Sequence, residues 1–171
     1  YEQDWLGIIW PLHTGYLPLV GVVIGGLAAF FYGRFHQLPP LSTLDALVPT
    51  LIVGLMAISL ADLLSWGGFG TVTAVPWAIT QFGLQRHPVQ VYELLAGLLA
   101  LAVWWRLLIR RRFEGQLFLV TTAVYSAGRL FVEAFRDDAL LTGDGYRLIQ
   151  LISLAILLTC LFALRQLTVD N

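Results

Sequence analysis

The chain has 171 residues, of which 58% are hydrophobic and only 12% charged, and its mean hydropathy of +0.77 lies outside the range of ordinary soluble domains. That composition describes one integral membrane domain. A formal net charge of −1 gives no sign of nucleic-acid binding, and a single cysteine, Cys160, excludes an intrachain disulfide or a cysteine metal cluster.

No Asp, Glu, Lys or Arg occurs between Trp5 and Gly33. Residues 16–32 are long enough to cross a bilayer of about 30 Å as a helix, and they form the first expected span. The chain opens on Tyr1 with no basic region followed by a small-residue cleavage site, so no signal peptide is expected. A second span is expected over 45–64. Ser42, Thr43 and Asp45 offer capping oxygens for it after Pro39 and Pro40, and Pro49 is tolerable near its first turn.

Residues 65–85 are rich in Gly, Trp and Phe, as in WGGFG and PWAITQFG, which suits a re-entrant or interfacial loop better than another span. Its aromatics read as an interfacial belt in preference to a substrate platform. The third span, 89–108, follows Arg86, His87 and Pro88, with Pro88 suited to a first helical turn and His87 near the cap. Gln90, Tyr92 and Glu93 lie in its opening turns, where a helix N-terminus favours the acidic group.

The fourth span, 115–135, is uncharged through Gly128 and then carries Arg129 and Glu133, with Arg136 just beyond its end. Spacings of four and three residues place these three side chains on one helical face. They form either an interfacial ion-pair ladder or a charged group turned toward the protein interior. A fifth span covers 148–164. All ten basic residues are arginine; Arg34, the run Arg110 to Arg112, and Arg165 mark the cytoplasmic side, which leaves the N-terminus outside and the C-terminus inside.

That orientation brings Asp62, Arg86, Glu93, Arg129, Glu133 and Arg136 to the outer side, three charges of each sign. They can neutralise one another or hold a phosphate headgroup, because arginine forks bind phosphate oxygens well. His13, His36 and His87 all lie near interfaces and none at mid-span, so no haem, metal or other cofactor is expected.

RHPVQVYE at 86–93, GRLFVEAFRDD at 128–138 and PWAI at 76–79 carry a resemblance to prolipoprotein diacylglyceryl transferase. Support of a weaker kind comes from STLDALVP at 42–49 and from Gln150 and Ser153. That family moves a diacylglyceryl group from phosphatidylglycerol to a prolipoprotein cysteine in the bacterial cytoplasmic membrane. The resemblance implies an all-α polytopic bundle of which this chain resembles the last five of seven spans. It also implies a site for an anionic phospholipid such as phosphatidylglycerol, around Arg86, His87, Gln90, Tyr92, Glu93, Arg129, Glu133, Arg136 and Asp62.

The chain departs from the pattern at other positions. The family's signature Arg falls on Ser59, its two Asn on Asp62 and Ser65, its Glu on the Gly67 and Gly68 pair, and its His-Gly-Gly on Leu19, Val20 and Gly21. His13 lies six residues too early to replace that His. Losing such electrostatic contacts removes transition-state stabilisation. The expectation is a degenerate, non-catalytic relative: a lipid-binding or scaffold subunit that docks on a membrane-protein partner. The alternative is an active phosphatidylglycerol–prolipoprotein diacylglyceryl transferase.

Overall fold

The computed structural model describes residues 18–143 and 145–169. They form α1 (Pro18–Phe35), α2 (Pro40–Ser65), β1 (Ile79–Gln81), β2 (Leu84–Arg86), α3 (Val89–Leu108), α4 (Gln116–Glu133) and α5 (Leu148–Val169). A helix occupies each expected span; the first two residues of the first span, and His13 ahead of it, lie outside the described residues. Among the described residues α2, α3 and α5 are long and apolar enough to cross a membrane. Leu, Ile and Phe side chains stay exposed along them, as on Ile58, Leu98 and Phe162, which is the surface a lipid environment requires. The protein is a polytopic membrane helix bundle. Its chain divides into two compact units, one holding α1 and the other running from Leu41 onward.

Two features of α2 differ from expectation. It begins at Pro40, whose fixed φ and missing N–H suit a first helical position, so Ser42 and Asp45 lie inside the helix. Pro49 consequently sits in the helix interior. Asp45 is buried and caps a different helix. Its Oδ2 accepts from the Gly115 amide at 2.8 Å and its Oδ1 from the Phe118 amide at 2.7 Å. These are amides at the start of α4, which has no side-chain cap of its own because Gly115, in the left-handed region at φ 85°, stands at the cap position. Arg111, from the basic loop between α3 and α4, lies 3.6 Å from the same carboxylate.

Helices α3 and α4 pack through small residues: a Cβ added to Gly128 would stand 2.6 Å from that of Ala96. Such close backbone approach is how helices associate where lipid removes the hydrophobic driving force. Val48 and Ile52 of α2 pack with Ala100 of α3, joined by Met56, Trp104, Phe118 and Tyr125. Leu119 and Ala123 of α4 pack on α5 around Cys160, a buried free thiol.

The segment between α2 and α3 holds a short hairpin and no helix. Strands β1 and β2 make an antiparallel hairpin in the register Ile79 to Arg86, Thr80 to Gln85 and Gln81 to Leu84. Phe82 and Gly83 form its two-residue turn with φ of 53° and 77°, the left-handed pair that matches strand twist. Before the hairpin, residues 69–72 run as a strap between the end of α4 and β2. The Thr71 amide donates to the Phe135 carbonyl at 2.8 Å, Asp137 to Phe69 at 3.0 Å, and His87 to Thr71 at 3.1 Å. Only glycine fits at position 70, where a Cβ would run into the His87 backbone.

Candidate functional site

Glu93 lies one turn into α3 and is buried among arginines from two other elements. Its Oε1 accepts from Arg129 Nη1 and, at 2.7 Å, from Arg136 Nη1, while its Oε2 accepts from Ser59 Oγ of α2 at 2.7 Å. Three elements are therefore tied to one carboxylate. Glu133, one turn beyond Arg129, places Oε2 at 3.6 Å from Arg129 Nη2 and makes no hydrogen bond through that oxygen. The expected ladder of three along one helical face is corrected in its last member. Helix α4 ends at Glu133 because the chain after it is drawn into the strap, so Arg136 approaches Glu93 from a turn. Arg147 completes that helix end by donating Nη1 to the carbonyls of Glu133 and Arg136.

Asp138 grips the far side of Arg136, with 3.1 Å contacts to both Nε and Nη2. Burial works against the Arg136 charge, but the Asp138 hydrogen bonds and the nearby Glu93 outweigh it and hold the guanidinium above its ordinary pKa. Arg86 does not join this group. Its Nη1 donates to Asp137 at 2.7 Å and to the Gly70 carbonyl at 2.9 Å, and its guanidinium lies 4.9 Å from the centre of the Phe69 ring. Arg86 sits on β2, with one partner in the strap and the other in the turn after α4, so it fastens the hairpin to both.

His87, Tyr92 and Gln90 also have other work. Trp77 Nε1 donates to the Tyr92 hydroxyl at 2.7 Å, and that hydroxyl lies 3.1 Å from His87 Nδ1. Because indole only donates, the phenol hydrogen is left for His87, which suits the tautomer protonated on Nε2. Gln90 Nε2 donates to the carbonyls of Gly67 and Gly68 at 2.7 and 2.6 Å. Gln81 Nε2 reaches Trp66 and Gly68 at 3.2 and 3.1 Å. Two buried amides thus clamp the turn that follows α2.

Asp62, Glu93, Arg129 and Arg136, with Ser59, line the polar end of a cavity of about 390 Å³. Val48, Leu51, Ile52, Leu55 and Ile58 of α2, Phe118 of α4 and Ile156 of α5 line most of the rest, with Thr122, Tyr125, Ser126 and Ser153 among them. Four of the nine expected site residues therefore face one space. Glu133 stands behind Arg129, while Arg86, His87, Gln90 and Tyr92 brace the segment between α2 and α3. The glycine pair roofs the polar end: a Cβ on Gly67 would lie 3.0 Å from Asp62 Oδ1, and one on Gly68 2.9 Å from Arg136 Nη2. The Arg136 guanidinium fills the space that a longer side chain at position 68 would need.

Sequence reasoning missed Asp138, Arg147 and Gln81, and read Ser59 only as a loss. Asp138 lay inside a quoted motif, but nothing local to Arg147 or Gln81 marks them, since their partners are backbone carbonyls set by the strap and the turn.

Residues 1–165 match the family described as prolipoprotein diacylglyceryl transferase. The phosphatidylglycerol–prolipoprotein diacylglyceryl transferase of Finegoldia magna is 31% identical over 160 residues, covering 92% of this chain and 64% of that protein. The enzyme of the same name from Clostridioides difficile is 32% identical over 164 residues, covering 90% and 62%. That from Acaryochloris marina is 29% identical over 169 residues, covering 90% and 60%. The chain spans about three fifths of the length of these curated relatives. No solved structure matches it significantly. The family match over almost the whole chain leads to one conclusion: the chain belongs to the prolipoprotein diacylglyceryl transferase family.

Proposed function

We propose that the cavity flanked by α2, α4 and α5 binds an anionic phospholipid, with its phosphate at the arginine end and an acyl chain along the apolar wall, and that this chain does not transfer the diacylglyceryl group. The observation that carries the reading is the cavity's polarity: Arg129 and Arg136 at one end, and Val48, Leu51, Leu55 and Ile156 along the other. Phosphatidylglycerol is the lipid named for the relatives above, and arginine donors recognise phosphate without further chemistry.

Transfer asks for more than recognition. A cysteine thiol must lose its proton, a carbon–sulfur bond must form, and the leaving phosphate must be stabilised as the carbon–oxygen bond breaks. Ser59 presents a hydroxyl where the family pattern has a guanidinium, and that hydroxyl is already bonded to Glu93. Among the described residues no histidine lines the cavity. The scaffold reading, in which the chain docks on another membrane protein, gains no support from the described residues.

Purified protein incubated with phosphatidylglycerol and a lipobox peptide is expected to retain the lipid and leave the peptide unmodified. Arg129→Gln should reduce lipid retention roughly tenfold, the equivalent of one charge-assisted contact. Thioether-linked peptide above a no-protein control overturns the non-catalytic half of the reading, and absence of retained phospholipid overturns the binding half.

We also place the loop of Arg110 to Arg112 on the cytoplasmic side of a bacterial inner membrane, on the strength of the positive-inside rule. An Arg110→Cys variant should then react with an impermeant maleimide only after the cells are permeabilised. Reaction in intact spheroplasts reverses the orientation.

A further inference from the structure

Trp66 and Phe82 are exposed aromatic residues that both hold a left-handed backbone, with φ of 59° and 53°. That region is unfavourable for a bulky side chain, and glycine or asparagine normally takes such positions. Phe82 is the first turn residue of the hairpin and 70% exposed, and Trp66 is 57% exposed. Local strain of this kind persists only where the surroundings over-determine it. Here the surroundings are Gln81 and Gln90, buried residues whose amides hold the carbonyls of Trp66, Gly67 and Gly68. The Phe82 ring is further braced edge-on by Phe69 at 5.8 Å. A soluble surface gains nothing by fixing two large apolar rings in water at the expense of backbone strain.

The depth of this pair follows from the helix it adjoins. Trp66 directly succeeds Ser65, the last residue of α2. That helix, with 26 residues, is about 39 Å long at 1.5 Å per residue, against a hydrocarbon core of about 30 Å. Its end therefore lies in the headgroup layer. Gln81, the residue before Phe82, is bonded to the Trp66 carbonyl, so the hairpin turn is held near the same level. Leu64, 75% exposed, continues the apolar surface down α2 into the span.

We infer that Trp66 and Phe82 form a rigid two-point anchor seated in the lipid headgroup and upper acyl region. The anchor fixes the clamped 66–68 turn, and so the roof of the cavity's polar end, at the membrane surface. The occupant is the bilayer itself, because the patch is continuous with the lipid-facing side of a spanning helix and because amphipathic or aromatic rings collect at that level. This inference does not depend on what the cavity binds.

The test uses Phe82→Cys and, separately, Trp66→Cys, each with Cys160→Ala, carrying an environment-sensitive fluorophore in phosphatidylcholine–phosphatidylglycerol vesicles. The exposed Arg110→Cys position serves as the reference. Lipids with a nitroxide near the headgroup should quench positions 82 and 66 several-fold more than position 110, and aqueous iodide several-fold less. Equal iodide quenching at all three positions, with no lipid quenching at 82 or 66, overturns the anchor and assigns the patch to a water-facing protein contact. The two variants are made separately, so one poorly folded variant leaves the other decisive.

Discussion

Glu93→Ala is expected to lower stability by about 3–5 kcal/mol, the range for removing one partner of a buried ion pair. The side chain of Glu93 is 5% exposed and the two arginines it holds are 18% and 16% exposed. Without it, Arg129 and Arg136 face each other beside the cavity, and the Ser59 hydroxyl keeps only the 3.3 Å contact to the Leu55 carbonyl. Arg129→Ala should do less, about 1–3 kcal/mol, because Glu93 keeps both Arg136 and the Ser59 hydroxyl. Thermal unfolding in mild detergent measures the difference: a fall of roughly 10 °C for Glu93→Ala, and less than half of that for Arg129→Ala. If the two variants melt together, or neither shifts, the charges are solvated and the carboxylate is not the centre of the cluster.

Asp45→Ala should cost about 2–4 kcal/mol and act at a distance, on the first turn of α4. It removes two charge-assisted acceptors from backbone amides, each worth about 1.5–3 kcal/mol when bonded to a charged group, together with a helix cap worth about 1 kcal/mol, terms that overlap. The site is 3% exposed, so water is poorly placed to substitute. Asp45→Asn keeps one acceptor oxygen and should retain about half of the stabilisation. Hydrogen exchange locates the effect: amides of Gly115 and Phe118 should exchange faster in Asp45→Ala while those in α5 stay protected. Unchanged exchange at 115 and 118 would show that α4 starts without help from α2.

Helix α3 was legible to the residue, since Pro88 ahead of it and arginines behind it bound an apolar run of one helix length. The end of α4 was overshot by two residues because the signal that stops it is not local. Apolar Phe135 fits a helix as well as it fits the strap, and the strap wins through its bond from Thr71. The hairpin was hidden for a similar reason: a Phe-Gly turn lacks the Asn-Gly signature, and strands of three residues show no readable alternation.

Within the site, Glu93 and Arg129 were visible because each is a charge inside an apolar segment. Charge alone could not reveal that Arg86 is taken up by the Gly70 carbonyl of the strap and by Asp137 of the turn after α4. Asp45 was noticed as a capping residue and given to the wrong helix. Sequence shows the type of oxygen available but not which orphan amides the fold delivers to it.

The dependence of α4 on its neighbours bears on how the bundle enters a membrane. It is less apolar than α2, α3 or α5 and is not among the three helices apolar enough to cross unaided. An arginine at membrane depth opposes insertion by up to about 3 kcal/mol on translocon scales. Both ends of α4 are completed elsewhere, the first turn by Asp45 of α2 and the arginine by Glu93 of α3. For the other helices, insertion and later association are separable steps. For α4 they merge, because the groups that make it tolerable in lipid belong to helices already in place. The order of the chain meets that requirement: α2 and α3 both precede α4 from the ribosome, so the helix least suited to lipid emerges after the partners that receive it.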